Sequence, residues 1–296
     1  MKPVRIMAAV AVPVLFLASL LGRPTPPVPQ PERVAVLVLE NRSYEHVIGN
    51  PNAPFINRLA QRYALATDYY ALGHRSLPNY IGLTGGNLYG IQNDCTDCAT
   101  QQANLLNQLD TAGIGWRAYF EGLNSAHPLT EPTPGYNPNY NPFGYYERVA
   151  GSRADRSRIG DFAELRRAIT QRQLERFSWI APDVYHDGHD ASLRRADSFV
   201  AGLVPGLLRA LGPHGVLYLL WDEGPNSDLR GADGQPGGGR VALIAAGDGA
   251  RRHTTLPITA NHYALLRTVS EGFGVPPLGN AALPSTPVLA GLLAGD

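Results

Sequence analysis

The residues of this chain best suited to chemistry stand where apolar runs stop. Val34 to Leu39, six uninterrupted aliphatic residues, end in Glu40-Asn41; Gly215 to Leu220 leads through Trp221 into Asp222-Glu223; and Arg176 to Ile180 runs into Ala181-Pro182-Asp183-Val184-Tyr185-His186-Asp187-Gly188-His189-Asp190. Carboxylates, an amide and imidazoles are donors that suit a divalent cation, and a hydroxyl beside such an ion can be deprotonated and aimed at phosphorus. Ser76, in His74-Arg75-Ser76-Leu77-Pro78-Asn79-Tyr80, offers that hydroxyl. It stands two residues before a proline, a placement compatible with the first turn of a helix, where free backbone N–H groups face an incoming anion. His262, near the start of a later helical stretch, is a further candidate. Each piece also has a plain structural reading: Glu40-Asn41 can end a strand in solvent, and Ser76 can cap its helix. Two other chemistries find no support, since H-R-S-L-P does not match the G-x-S-x-G elbow of acyl transfer and no Lys-Ser/Thr follows the glycines of Thr84-Gly85-Gly86-Asn87.

Positioning these groups requires strands whose carboxyl ends lie together. An aliphatic run such as Val34–Leu39 reads as a strand buried on both faces, the kind found in parallel sheets, and ligands bind at the carboxyl ends of such strands. Helices are expected over residues 52–63, from about Ser76 to the glycines at 85–86, and over 104–112, 161–174 with Asp161 as cap, 198–211, and from about His262. Strands are expected over 68–72, 115–120, 176–180, 215–220 and 240–246, with Glu121 following one of them. The alternation makes one α/β domain. Leu123 to Tyr146, rich in Pro, Asn, Gly and Tyr, reads as a lid or binding loop: His127, Tyr136, Tyr140, Tyr145 and Tyr146 either line an entrance or pack the loop down. Arg153, Arg156 and Arg158 read as a solvated turn, Pro225–Gly239 as a mobile loop, and residues from Pro276 on as extended packing or fraying.

Composition narrows the partners. The 296 residues are 44% hydrophobic, enough for a sizeable core, and Lys+Arg and Asp+Glu both total 25, which gives no global surplus for nucleic acid. Residues 1–22 read as a secretory leader, with basic Lys2 and Arg5 before the apolar run Ile6–Leu21; an uncleaved N-terminal membrane anchor is the competing reading. A proline-rich spacer, residues 23–32, is expected to stay extended and unpacked ahead of a single domain at 33–296. The expected location is secreted or extracytoplasmic, where Cys95 and Cys98 would form a local disulfide rather than a redox pair.

Taken together, VLVLENRSYEHVIGN with APFINRLA, HRSLPNY with LTGG, PDVYHDGHD, WDEG and HYALLRTV with FGVPPLG resemble a bacterial phosphoesterase family. It contains secreted acid phosphatases, phosphatidylinositol-3-phosphatases and phospholipases C, within the alkaline phosphatase superfamily, and the resemblance covers nearly all of residues 33 to 281. It implies a three-layer α/β domain with a mostly parallel central sheet and helices on both faces. It further implies metal-dependent hydrolysis of a small phosphomonoester or phosphoinositide through a phosphoserine at Ser76, with phosphodiester or phospholipase C cleavage and a catalytically silent exported binding protein as alternatives. Glu40, Asn41, Asp222 and Glu223 match the metal-holding positions, with Asp187 a weaker match. Asn79 resembles a phosphate-oxygen ligand, and His74, His189 and His262 would face phosphate or metal. Asp222-Glu223 stands where many superfamily members carry Asp-His, which favours oxygen-rich calcium or magnesium binding without excluding zinc.

Overall fold

The computed structural model describes residues 28 to 295, so the expected leader and the first half of the proline-rich spacer lie outside the described residues. In chain order the elements are β1 (Val34–Leu39), α1 (Tyr44–Val47), α2 (Pro54–Arg62), β2 (Ala64–Ala66), β3 (Tyr69–Tyr70), α3 (Ser76–Gly85), α4 (Leu105–Thr111), β4 (Trp116–Phe120), α5 (Glu147–Ala150), α6 (Arg153–Arg156), β5 (Ile159–Gly160), α7 (Phe162–Gln171), β6 (Phe177–Ala181), α8 (Leu193–Leu211), β7 (Val216–Trp221), β8 (Leu243–Ala246), β9 (Thr254–Leu256), β10 (Ala260–Asn261) and α9 (His262–Gly272).

Eight strands form one sheet in the order β5-β4-β6-β1-β7-β8-β2-β9. All run the same way except β8, which is antiparallel to both β7 and β2. The all-aliphatic β1 takes the central place: its Val34 pairs with Phe177 of β6 and with Val216 of β7, and every β1 residue is buried. A strand with apolar side chains on both faces must be covered on both, and here α2 and α7 flank α8 on one side while α3 packs on α9 on the other. The result is a three-layer α/β domain with a largely parallel sheet.

Several local expectations change. The stretch 68–72 contributes only Tyr69–Tyr70, which pairs with β10 in a separate two-stranded sheet; the neighbour in the main sheet is the shorter Ala64–Ala66. Helix α8 begins at Leu193, capped by Ser192, and continues through Pro205. The spacer's last residues are not unpacked, since Val28 and Pro31 are buried against the domain. The C-terminal stretch packs rather than frays, with Leu289, Leu292 and Leu293 in the core. Residues 123–146 also pack: Tyr136, Tyr140, Tyr145 and Tyr146 are buried, and Phe143 sits edge-on to Trp179. Cys95 and Cys98 are disulfide-bonded.

One long-range contact ties α8 to the chain segment after β1. Helix α2 has no side-chain cap of its own at Ala53. Asp197 of α8 substitutes for one, its buried carboxylate accepting from the Phe55 amide at 3.2 Å and the Ile56 amide at 2.8 Å. Unsatisfied helix-end amides and an anion at the positive end of the helix dipole both make this contact favourable. Asp197→Ala strands buried donors and is expected to cost about 2 kcal/mol of stability, with Asp197→Asn costing less because one oxygen acceptor survives. Urea denaturation midpoints measure this, and equal midpoints for wild type and Asp197→Ala would remove the cap from the account.

Candidate active site

The parallel register brings the carboxyl ends of β1, β6 and β7 to one edge, and the groups singled out from the sequence converge there. Glu40, the residue after β1, is completely buried. Its Oε2 accepts from the Ser76 hydroxyl at 2.7 Å and its Oε1 from the Tyr80 hydroxyl at 2.5 Å. Ser76 and Tyr80 lie one helical turn apart in α3 and so present one face to the carboxylate. Ser76 occupies the first turn of α3 and its hydroxyl is given to Glu40, so it is not the helix cap; Arg75 holds that position.

The backbone leading into Ser76 is strained. Arg75 has φ 103°, a left-handed value that disfavours a side chain and costs roughly 1–3 kcal/mol. Asn79 holds this elbow. Its Oδ1 accepts from the Leu72 and Gly73 amides, and its Nδ2 donates to the carbonyls of Gly73 and Arg75. Every hydrogen-bonding group of that amide is thereby spent on the chain before the serine, and the expected phosphate-ligand role gives way to a positioning one. Glu223 helps from the other side, its Oε2 accepting from the Arg75 amide at 3.1 Å. Asp94, beside the disulfide, accepts from the Leu77 amide at 3.0 Å and so covers the start of α3.

The histidines separate in the structure. His262 is fully buried, with Tyr69 OH on Nδ1 at 2.9 Å and Nε2 donating to the Asp222 carbonyl at 2.6 Å. Burial lowers its pKa to about 4, so it is a neutral brace for the Asp222 backbone rather than a phosphate-facing group. His74 likewise has both nitrogens engaged, Nδ1 with Glu223 Oε2 and Nε2 with the Asp228 carbonyl, each at 2.9 Å. His189 is exposed, and only its backbone amide is bound, donating to Asp187 Oδ1 at 2.8 Å. Among the three, its ring is the one left free to meet a substrate.

Glu40, Asp187 and Asp222 crowd into one buried pocket. Burial, then the charges of Asp222 and Asp187, push the Glu40 carboxyl well above its usual range. Burial, then Glu223, raise Asp222; burial likewise raises Glu223, and it raises Asp187 to about 6. Tyr140, from the 123–146 segment, donates to Asp187 Oδ2 at 2.9 Å, and the Asn41 amide donates to Asp222 Oδ1 at 3.0 Å. Two oxygens here, Asn41 Oδ1 and Asp222 Oδ2, are buried with no hydrogen-bond partner among the described residues. Such groups are rare without a ligand, and hard oxygen donors amid excess negative charge fit a divalent cation.

A second acidic cluster flanks the first. Glu121 and Asp183, at the ends of β4 and β6, lie with His186 so that a ligand atom from each falls within 4.8 Å of the others, a potential divalent-metal triad. His186 Nδ1 is 2.9 Å from Glu121 Oε2 and 3.0 Å from Asp183 Oδ1. Asp183 and His186 belong to the Ala181–Asp190 run whose donors suit a cation, but the sequence gives no sign that Glu121, at the end of a different strand, joins them. Tyr80 was also missed, despite its i+4 spacing from Ser76.

Carboxyls with raised folded-state pKa values stabilise the fold most below their unfolded values and lose that contribution as pH rises; for Asp187 the loss falls between the ordinary 3.8 and about 6. Without divalent cation, the Asp222→Asn variant should therefore melt above wild type by a margin that widens with pH through this window and beyond. Added cation should raise the wild type and shrink the margin. Thermal midpoints across pH, with and without cation, check this; a margin indifferent to both would dismiss the crowded-carboxylate account.

Comparison with known proteins bears on the same residues. Over 290 residues the chain is 28% identical to a phosphatidylinositol-3-phosphatase of Mycobacterium tuberculosis, covering 94% of this chain and 92% of that protein. It is 26% identical to a probable acid phosphatase of Kluyveromyces lactis and 25% identical to a phosphate-repressible acid phosphatase of Penicillium chrysogenum, but spans only 43% and 60% of their lengths. A Vibrio parahaemolyticus protein of the alkaline phosphatase superfamily shares the fold, with TM-score 0.61 at 12% identity over 87% of this chain and 72% of that one. So does murine ectonucleotide pyrophosphatase/phosphodiesterase 5, with TM-score 0.56 at 12% identity over 88% of this chain and 100% of that one. The profile described as the phosphoesterase family matches residues 50–276, most of the chain and all of the Ser76, Asp187 and Asp222-Glu223 segments, and the chain belongs to that family.

Proposed function

We propose that this protein hydrolyses phosphoesters, with Ser76 as nucleophile and small phosphomonoesters, phosphoinositides among them, as substrates. The observation that carries the reading is the 2.7 Å hydrogen bond from the Ser76 hydroxyl to buried Glu40, at the start of a helix and beside the unpartnered oxygens of Asn41 and Asp222. The relatives named for phosphomonoesterase activity support the choice of substrate class.

Glu40 accepts the hydrogen bond of the Ser76 hydroxyl and, in its ionised form, is placed to take that proton as Oγ attacks phosphorus in line and the leaving oxygen departs. Tyr80 holds the other Glu40 oxygen, so the carboxylate cannot rotate away. Asn79 and Glu223 keep the strained Arg75 backbone in place and with it the direction of Oγ. His189 donates a proton to the leaving oxygen, and water then cleaves the phosphoserine. A divalent cation held by Asn41 and Asp222, with Glu40, Glu223 and Asp187 completing the acidic surroundings, would neutralise phosphate charge and favour the serine alkoxide. Calcium or magnesium suits these oxygen donors best. The proposal places the protein outside the cytoplasm, where the Cys95–Cys98 bridge would persist.

Ser76→Ala should lower kcat on a nitrophenyl phosphate monoester by at least about a thousandfold, a loss typical of removing a covalent nucleophile. Wild type quenched with acid during turnover of labelled substrate should carry label on Ser76. Near-normal turnover by the variant would end the assignment. Initial rates on a monoester, a bis-nitrophenyl diester and phosphatidylinositol 3-phosphate, compared in one assay series, separate the monoesterase reading from diester cleavage.

A further inference from the structure

The edge of the sheet opposite the active site carries its own chemistry. Register places Val34, Val216 and the start of β2 there: Val34 pairs with Val216, and Ala64 with Thr254 of β9. The chain enters at the same edge, where Pro29 to Pro31 pack beside His214 and Gly249. Helices α2 and α8 run toward it from the catalytic side, and their outer surfaces enclose a groove of about 760 Å³. Phe55, Leu59, Tyr63 and Leu208 form its apolar floor, and Arg58, Arg62 and Arg209 line it, all three exposed. Among the described residues, no aspartate or glutamate lines this groove. The guanidinium of Arg58 lies over Phe55 at 5.5 Å and that of Arg62 over Tyr63 at 5.3 Å, so the charges are laid along the apolar floor rather than extended into solvent.

We propose that this groove docks the protein on the surface of an anionic phospholipid bilayer. Rings and aliphatic side chains below, with arginines above them and no acid among them, match an interface where acyl chains meet phosphates. In a chain with 25 basic and 25 acidic residues, this local surplus is not a by-product of overall charge. An acidic polypeptide would complement the arginines, but two further facts favour the bilayer. The apolar run Ile6–Leu21, preceded by Lys2 and Arg5, precedes the point of entry. Only residues 22–27 separate that run from Val28, a stretch that spans at most about 20 Å even fully extended. A bilayer holding the run therefore meets the edge from which the groove rises.

The test uses the full chain with vesicles of phosphatidylcholine alone and of phosphatidylcholine mixed with phosphatidylglycerol. Hydrogen exchange in residues 54–63 and 200–211 should slow on the anionic vesicles and not on the neutral ones, whether or not the N-terminal run inserts into both. Each arginine near an anionic surface strengthens partitioning roughly five-fold, so Arg58→Gln/Arg62→Gln/Arg209→Gln should weaken the anionic preference about a hundredfold and abolish the protection. Its hydrolysis of a soluble monoester should match wild type. Identical exchange on both vesicle types, or protection that survives in the triple variant, would overturn the proposal. Protection by soluble polyglutamate but by neither vesicle would overturn it in favour of an acidic polypeptide.

Discussion

Gathering several carboxylates in one buried pocket is the constraint on which the rest of this structure depends. Glu40, Asp187 and Asp222 repel one another where the dielectric is low, and each is driven toward its neutral form. The surroundings answer with donors. Ser76 and Tyr80 serve Glu40, Tyr140 and the His189 amide serve Asp187, and the Asn41 amide serves Asp222. These donors come from α3, from the 123–146 segment and from the strand ends themselves, so packing of the layers and construction of the pocket are one event.

The elbow before Ser76 shows how that arrangement is paid for. Arg75 adopts a backbone conformation better suited to glycine, yet the elbow's four hydrogen bonds with Asn79, two accepted and two donated by that amide, and one from the Arg75 amide to Glu223 keep it there. Glu223 accepts from that backbone and pairs with His74, whose other nitrogen donates to the Asp228 carbonyl. Asp228 in turn accepts from Ser43, Arg230 and the Arg240 amide, fastening the segment expected to be a mobile loop. The strained turn is thus over-determined from several directions, the circumstance in which strain persists in a folded protein.

What was readable from the residues follows from how local each signal is. The buried β1 announced itself by six aliphatic residues, and the polar ends of β1 and β7 by their abrupt change of type. Strands β2, β5, β9 and β10, of two or three residues, leave no periodicity to detect and exist because neighbours pair with them. Residue type revealed that Asn79, His74 and His262 matter, but not whether their polar atoms face a substrate or the backbone; that depends on contacts such as His262 with the Asp222 carbonyl, 40 residues away. The Glu121, Asp183 and His186 cluster was hidden for the same reason, since strands β4 and β6 must pair before two of its members meet.

The reversed strand β8 has an effect on how this enzyme fold can vary. Because β8 starts at the edge where β7 ends, Leu220 facing Leu243, the connection from Asp222 to Ala242 never crosses to the far side of the sheet. It needs no crossover helix and touches the scaffold through Ser43, Glu45, His74 and the Gly73 region. Between Asp228 and Gly238, past the residues that brace the elbow, length and composition can change without altering strand order or the packing of either helical layer. The geometry of attack is set by one part of the chain and the reach of the pocket by another, which leaves the second open to diversification while the first stays fixed.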